Sequence, residues 1–157
     1  MLRLSKKSDY ALISMKHLAM RPDASSSARE ISESYDIPLE LLAKVLQRLV
    51  RARLLVSVQG TRGGYRLARQ AALISVADVI QAVDGPVTVT ACSTDDHNCD
   101  QYTKCSIRDP LWKIKNRIID ALNTVSVAEM AVESEAPAPV QTHTVTRMMF
   151  VPPVGEN

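Results

Sequence analysis

A helical stripe and a glycine-rich reversal stand side by side between Pro38 and Leu67, and that pairing narrows the fold more than any other part of the chain. From about Pro38 to Ala52, Leu42, Val45, Leu46 and Leu49 recur at i, i+3, i+4 and i+7, the period of a helix with one buried face. Glu40, Lys44, Gln47, Arg48 and Arg51 take the other face. Directly after it, Leu54-Leu55-Val56-Ser57-Val58 and Tyr65-Arg66-Leu67 are strand-like and flank Gln59-Gly60-Thr61-Arg62-Gly63-Gly64, whose three glycines permit a tight reversal. The spacing predicts a hairpin with Arg62 at its tip.

Two helices are expected upstream. From Asp9 to Met20, Ala11, Leu12, Met15, Leu18 and Ala19 recur at three and four residues, an amphipathic pattern that stops at Arg21-Pro22-Asp23. Ser27-Ala28-Arg29-Glu30 has the S-x-x-E form in which Ser and Glu reciprocally satisfy the open N–H groups of a helix start. The short helix it opens carries Ile31 and Tyr35 on one face and ends at Asp36-Ile37-Pro38, where the proline suits the first turn of the next helix. Helix, short helix, basic helix and Gly-rich hairpin in this order describe a winged helix-turn-helix, a mainly α fold with a small β-hairpin wing. Its third helix enters a major groove, and the wing reaches flanking backbone or minor groove.

The charge distribution agrees. Net charge is only +2, but residues 1–70 hold 13 Lys and Arg against 6 Asp and Glu, and residues 71–157 hold 6 against 11. From Leu41 to Ala77 there are seven basic side chains (Lys44, Arg48, Arg51, Arg53, Arg62, Arg66, Arg69) and no acid. Such a field favours a polyanion, here double-stranded DNA. Leu39, Glu40, Ala43 and Lys44 are placed for groove approach, Arg48 and Arg51 for phosphate, and Arg62 for the minor groove. Leu39 and Ala43 can touch thymine methyls.

Beyond the wing, Ser75 and Asp78 cap a short helix bearing Val76, Val79, Ile80 and Val83, closed by Asp84-Gly85-Pro86, so that residues 1–84 form the DNA-binding domain. A polar segment, 85–109, ends at Asp109-Pro110, an N-cap residue followed by a first-turn proline. The long helix that follows spaces Leu111, Ile114, Ile118, Leu122 and Val125 by three or four, with Trp112 and Ile119 widening the apolar surface. An isolated helix of this kind needs a partner. Homodimerisation through residues 110–132, which include a short turn capped by Ser126 and Glu129, would match two half-sites of a palindromic operator about 34 Å apart. Residues 133–157, with Glu-Ser-Glu-Ala-Pro-Ala-Pro and further prolines, are expected to be a flexible tail. No apolar run approaches the length of a membrane span and the basic start lacks a secretory pattern, so a cytoplasmic location is expected.

Cys92, Cys99 and Cys105 are separated by six and five residues, within a segment that also holds Asp95, Asp96, His97 and Asp100. Their odd number speaks against a disulfide scaffold, and no C-x-x-C suggests a zinc ribbon. Three thiolates on one loop suit an iron-sulfur cluster, zinc or copper(I). The long spacing favours a cluster, with zinc or a thiol-redox switch as the alternatives on the same fold. A small iron-sulfur electron carrier or scaffold would explain the cysteines but not the basic helix and wing. His17 and His143 are expected to be structural or solvated. No nucleophile-base pairing, phosphate loop or cofactor fingerprint argues for an enzyme.

Leu4-Ser5-Lys6 with Asp9-Tyr10-Ala11-Leu12, Arg62-Gly63-Gly64-Tyr65-Arg66-Leu67, Ile74-Ser75-Val76-Ala77-Asp78-Val79-Ile80 and then three Cys before a Trp-containing helix together resemble the Rrf-two family of bacterial transcriptional regulators. The resemblance covers residues 1 to about 131. It is strongest toward members that sense iron-sulfur status or nitric oxide, among them the regulator of the SUF iron-sulfur assembly system, through Met1-Leu2-Arg3-Leu4-Ser5-Lys6 and Gly85-Pro86. It implies a homodimer whose Cys92, Cys99 and Cys105 hold a [2Fe-2S] or [4Fe-4S] cluster and whose DNA affinity follows the cluster's state. A repressor of iron-sulfur assembly or of nitrosative or oxidative stress genes is the implied role. Some members place a His ligand three residues after the last Cys, where this chain has Arg108, which cannot be deprotonated to bind a metal. Others use a carboxylate on the partner's first helix, and Asp9 falls there. Asp9 is the first choice for the fourth ligand, His97 the second and Asp109 the third.

Overall fold

In the structure, a computed structural model, residues 4–60, 63–88, 100 and 103–132 are described. The first helix, α1 (Lys6–Ala19), begins a turn ahead of its apolar pattern because Ser5, extended, accepts the Ser8 N–H at 3.2 Å and caps it. Its Ala11, Met15 and Leu18 lie at the centre of the core. At the start of α2 (Ala28–Tyr35), Ser27 accepts the Glu30 N–H at 3.1 Å, but the reciprocal half of the expected capping box is absent. The Glu30 carboxylate instead meets Arg21 at 3.0 Å, tying α2 to the end of α1.

The corner after α2 turns on Asp36 in the left-handed region (φ 51°), with the buried Ile37 donating to the Ser32 carbonyl and its own carbonyl accepting from Ser32 Oγ at 2.6 Å. These bonds fix the angle at which α3 (Leu39–Arg51) leaves. Pro38 stands at the N-cap, one position earlier than expected. Leu42, Val45, Leu46 and Leu49 are all buried against Met15, Leu18 and Ile31, each large side chain contributing about 1.5–3 kcal/mol of burial.

Strands β1 (Leu55–Val58) and β2 (Gly64–Leu67) pair antiparallel, with Leu55 opposite Leu67 and Val58 opposite Gly64. A second pair of bonds, Ser26 N–H to the Tyr65 carbonyl (3.1 Å) and Tyr65 N–H to the Ser26 carbonyl (2.9 Å), fastens this wing to the segment between α1 and α2. Arg62, expected at the tip, lies outside the described residues.

A 3-10 turn at Ala71–Leu73, not anticipated from the sequence, precedes α4 (Val76–Asp84), whose Ser75–Asp78 capping box is complete. The long helix α5 (Arg108–Thr124) starts earlier than expected, which moves Asp109 from the N-cap into the first turn, where its carboxylate accepts from Arg108 Nε at 3.0 Å. Val125 stands just past the end of α5 in extended backbone, and its carbonyl accepts the Val76 N–H at 2.9 Å. The Val127 N–H reaches the Ile74 carbonyl at 2.8 Å, so the chain pairs back onto the start of α4. The Ser126–Glu129 box caps α6 (Val127–Ala131), and Val127 is fully buried in the same core as α1. Among the described residues, no helix is long and apolar enough to cross a membrane.

Candidate functional site

With Leu42, Val45, Leu46 and Leu49 turned into the core, about 3.6 residues per turn places Glu40, Lys44, Gln47 and Arg51 on the outward side of α3. All four are exposed; Leu39 is exposed and Ala43 half-buried at the edge near the start of the helix. Arg51 and Gln47 share a shallow cleft with Val50 and with Ser57 and Tyr65 of the wing, so helix and hairpin present one continuous surface. Lys44 and Arg51 bring fixed positive charge to that surface, as a phosphate backbone requires.

Arg48 is placed differently. It lies on the flank of α3 that faces α4, and its guanidinium donates to the Val83 carbonyl in the last turn of α4. One carbonyl that a helix end leaves without an intrahelical partner is thereby satisfied by a cation, which the negative end of the helix dipole also favours. Sequence spacing could not signal this bond, because its partners are 35 positions apart.

The next residue, Asp84, accepts from Ser5 Oγ at 2.5 Å and Ser8 Oγ at 2.6 Å, at the N-terminal end of α1. Burial works against its charge, but the two hydroxyls, with Lys7 and Arg48 nearby, outweigh that and hold the carboxyl below its usual value. After Asp84 the chain turns through Gly85 at φ +85°. A cavity of about 360 Å³ opens here, bounded by Leu4, Ile80, Asp84 and Pro86 on one side and Ile118 and Leu122 of α5 on the other.

The ligand candidates are only partly within view. Cys92, Cys99 and His97 lie outside the described residues; Cys105 is a half-buried thiol outside any disulfide, two residues before the N-cap of α5. Asp9 is exposed in the first turn of α1, beside Ser8. A free thiol is a donor that an iron-sulfur cluster accepts, but among the described residues no group of three or more His, Cys, Asp or Glu side chains is gathered where it could hold a metal ion.

Along α5, Leu111, Ile118 and Leu122 are half-buried, Trp112 is 36% and Ile114 46% exposed, and no residue of the helix is fully buried. Lys115 Nζ sits 4.8 Å from the centre of the Trp112 ring.

Sequence reasoning passed over the polar network around His17. This imidazole is 4% exposed, with Nδ1 3.2 Å from Tyr35 Oη and Nε2 within reach of Ser26 Oγ (3.1 Å) and Arg21 (2.8 Å). A guanidinium can only donate, so Nε2 accepts and the proton of the neutral ring sits on Nδ1, directed at Tyr35. Burial and then Arg21 hold His17 below the ordinary histidine value, against a smaller opposite pull from Glu30.

A helix-turn-helix corner, an exposed basic third helix and a wing pinned beside it define a DNA-binding transcriptional regulator of the winged-helix class. The chain belongs to the Rrf2 family, described as iron-dependent transcriptional regulators, which it matches over residues 4–133. It is 34% identical over 136 residues to the HTH-type transcriptional regulator IscR of Vibrio cholerae, covering 85% of this chain and 78% of that one. Among solved structures it is similar to IscR of T. potens (27% identity, TM-score 0.65, 82% of this chain and 85% of that one). It also shares the fold of CymR, the global cysteine regulator of B. subtilis (22% identity, TM-score 0.68, 86% of this chain and 100% of that one).

Proposed function

We propose that this protein is a cytoplasmic, homodimeric DNA-binding repressor that senses iron-sulfur status, with Cys92, Cys99 and Cys105 holding a [2Fe-2S] or [4Fe-4S] cluster. The observation that carries the DNA half is the outward row of Lys44, Gln47 and Arg51 beside the pinned wing. The sensing half is supported by the iron-dependent character of the family and by the free Cys105 thiol at the base of α5. Asp9 of the partner subunit's first helix completes the set in this reading, with His97 as the alternative. When bound, the cluster supplies a redox- and nitric-oxide-sensitive centre. The chain's own part is to hold α1, α3 and α5 at set angles, so that two recognition helices meet two half-sites of a palindromic operator.

The test is anaerobic purification with iron and acid-labile sulfide measured per monomer beside the visible spectrum, repeated with Asp9→Ala and His97→Ala. Equal iron and sulfide, lost in one of the two variants, establish the cluster and its fourth ligand. Zinc, or no metal, overturns the cluster and leaves a structural metal or a thiol-redox switch.

A further inference from the structure

The wing is fastened to the segment between α1 and α2 at Ser26, whose N–H donates to the Tyr65 carbonyl at 3.1 Å and whose carbonyl accepts the Tyr65 N–H at 2.9 Å. Ser26 is 1% exposed, and its hydroxyl lies 3.1 Å from Nε2 of His17, so the anchor of the wing and the buried imidazole are bonded to each other. The same Nε2 accepts from Arg21 at 2.8 Å, and Arg21 opens the turn that leads to Ser26, its carbonyl accepting the Ala24 N–H at 3.1 Å. On the other side of the ring, Nδ1 stands 3.2 Å from Tyr35 Oη, and the two rings meet edge to face with centroids 5.5 Å apart. One imidazole thus touches the end of α2, the turn after α1 and the residue that carries the wing.

We propose that His17 is a positioning residue for the wing: its neutral ring holds Ser26 where Tyr65 pairs with it, and proton uptake by the ring loosens that pairing, so that DNA affinity falls as the medium turns acid. The inference uses the DNA-binding role and is independent of any cluster. A neutral imidazole has one acceptor nitrogen, and the Arg21 guanidinium, which only donates, is bonded to it. Once Nε2 carries a proton, both ring nitrogens are donors, Arg21 has lost its acceptor, and two cations face each other across 2.8 Å beside a buried ring. Arg21, half exposed and already paired with Glu30 at 3.0 Å, is the partner free to withdraw, and it pulls on the turn to Ser26 as it does so. The Ser26 hydroxyl must at the same time turn from donor to acceptor. The charges that act on the ring are Arg21 and, in the opposite sense, Glu30; burial and Arg21 prevail, which puts the change on the acid side of pH 6.5. Tyr35 is its titratable neighbour in α2. Other charges on the elements around α1 are engaged elsewhere or exposed: Asp84 binds Ser5 and Ser8 at the far end of α1, Arg48 binds the Val83 carbonyl, Asp78 and Glu129 cap their helices, and Asp23, Arg29, Glu33, Glu40, Lys44, Arg51 and Arg66 are exposed.

The test separates this role from simple support of the fold. The probe is a duplex recovered from a randomised library by the full chain at pH 7.5, and its affinity is measured at fixed salt from that pH down to the lowest at which far-UV circular dichroism shows the helices intact. Wild-type affinity should fall by about 5-fold or more over this range, the lower end of couplings between two sites. Hydrogen-exchange protection of the Ser26 and Tyr65 amides should drop over the same range while that of Met15 and Leu18 in α1 is kept. His17→Gln, which keeps a polar side chain beside Ser26 and takes up no proton, should hold most of its pH 7.5 affinity at the acid end. Arg21→Gln, at a half-exposed site outside the core, removes the cation that a protonated ring repels and should flatten the fall as well, and it decides the matter should His17→Gln not fold. A wild-type affinity that is constant with pH, or the same fall in both variants, overturns the proposal, the second by assigning the titration to another group. Protection lost at Met15 and Leu18 in step with Ser26 and Tyr65 also overturns it and leaves His17 a support of the fold alone.

Discussion

Gly64 lies so close to the Ser26 backbone that no side chain fits between them. A Cβ built on Gly64 would stand 2.5 Å from the Ser26 carbonyl carbon and 2.8 Å from the Ser27 nitrogen. The approach is what allows Tyr65, its neighbour, to exchange two backbone bonds with Ser26 and so pin the wing. Gly64→Ala should push the hairpin away and cost about 1–3 kcal/mol, the range for overpacking a close contact, read as a lower urea midpoint. It should also weaken DNA binding by displacing the wing from Arg51 and Gln47.

Buried neutral His17 makes stability depend on pH. Its folded value lies below the 6.5 of a free histidine, so the unfolded chain binds the proton first. Stability from this site is complete above pH 6.5, falls as pH drops from 6.5 toward the folded value, and then levels off. Denaturant midpoints from pH 7.5 down to pH 5 should show this fall in the wild type and a smaller one in His17→Gln. Equal slopes in the two proteins would remove His17 as the source.

Lys44→Ala and Arg51→Ala should each weaken binding to every duplex tested and flatten the dependence of log affinity on log salt by about one unit. An unchanged slope would take that residue out of the interface. Both are exposed, so folded stability should move by no more than about 0.5 kcal/mol.

Ile114 is the large apolar side chain most exposed within α5, at 46%. Ile114→Lys therefore removes little from the folded protomer. If α5 is the dimer seam, sedimentation should show the variant as a folded monomer at concentrations where the wild type is a dimer; a variant that stays dimeric places the seam elsewhere.

Local signals in the sequence translated directly into structure. The stripe Leu42, Val45, Leu46, Leu49 is buried as its period requires, and Ser27, Ser75 and Ser126 each cap the helix that follows. Polar first turns were harder to read: Lys6, Lys7 and Ser8 show no apolar period, and only the Ser5 cap reveals that α1 includes them. Competition between partners was not legible either. Glu30 could complete a capping box or pair with Arg21, and the choice depends on how α1 ends. In the sequence Arg48 is indistinguishable from Arg51, each a basic residue on a polar helix face, and only the packing of α4 on that flank sets them apart. Leu122 and Ile118 read as seam positions, yet they also wall a cavity against α4, because one helix stripe can serve an inner contact and an outer one.

The pairing of residues 74–76 with 125–127 closes the chain on itself after α5. The Val76 N–H to the Val125 carbonyl and the Val127 N–H to the Ile74 carbonyl join the chain again after α5, and Val127 is sealed into the core beside α1. Residues 77–124, from α4 through α5, thus form a closed excursion whose two feet are stitched together by these bonds. A backbone cut between α4 and α5 would therefore leave the two pieces held to each other by these bonds and by Val127 in the core.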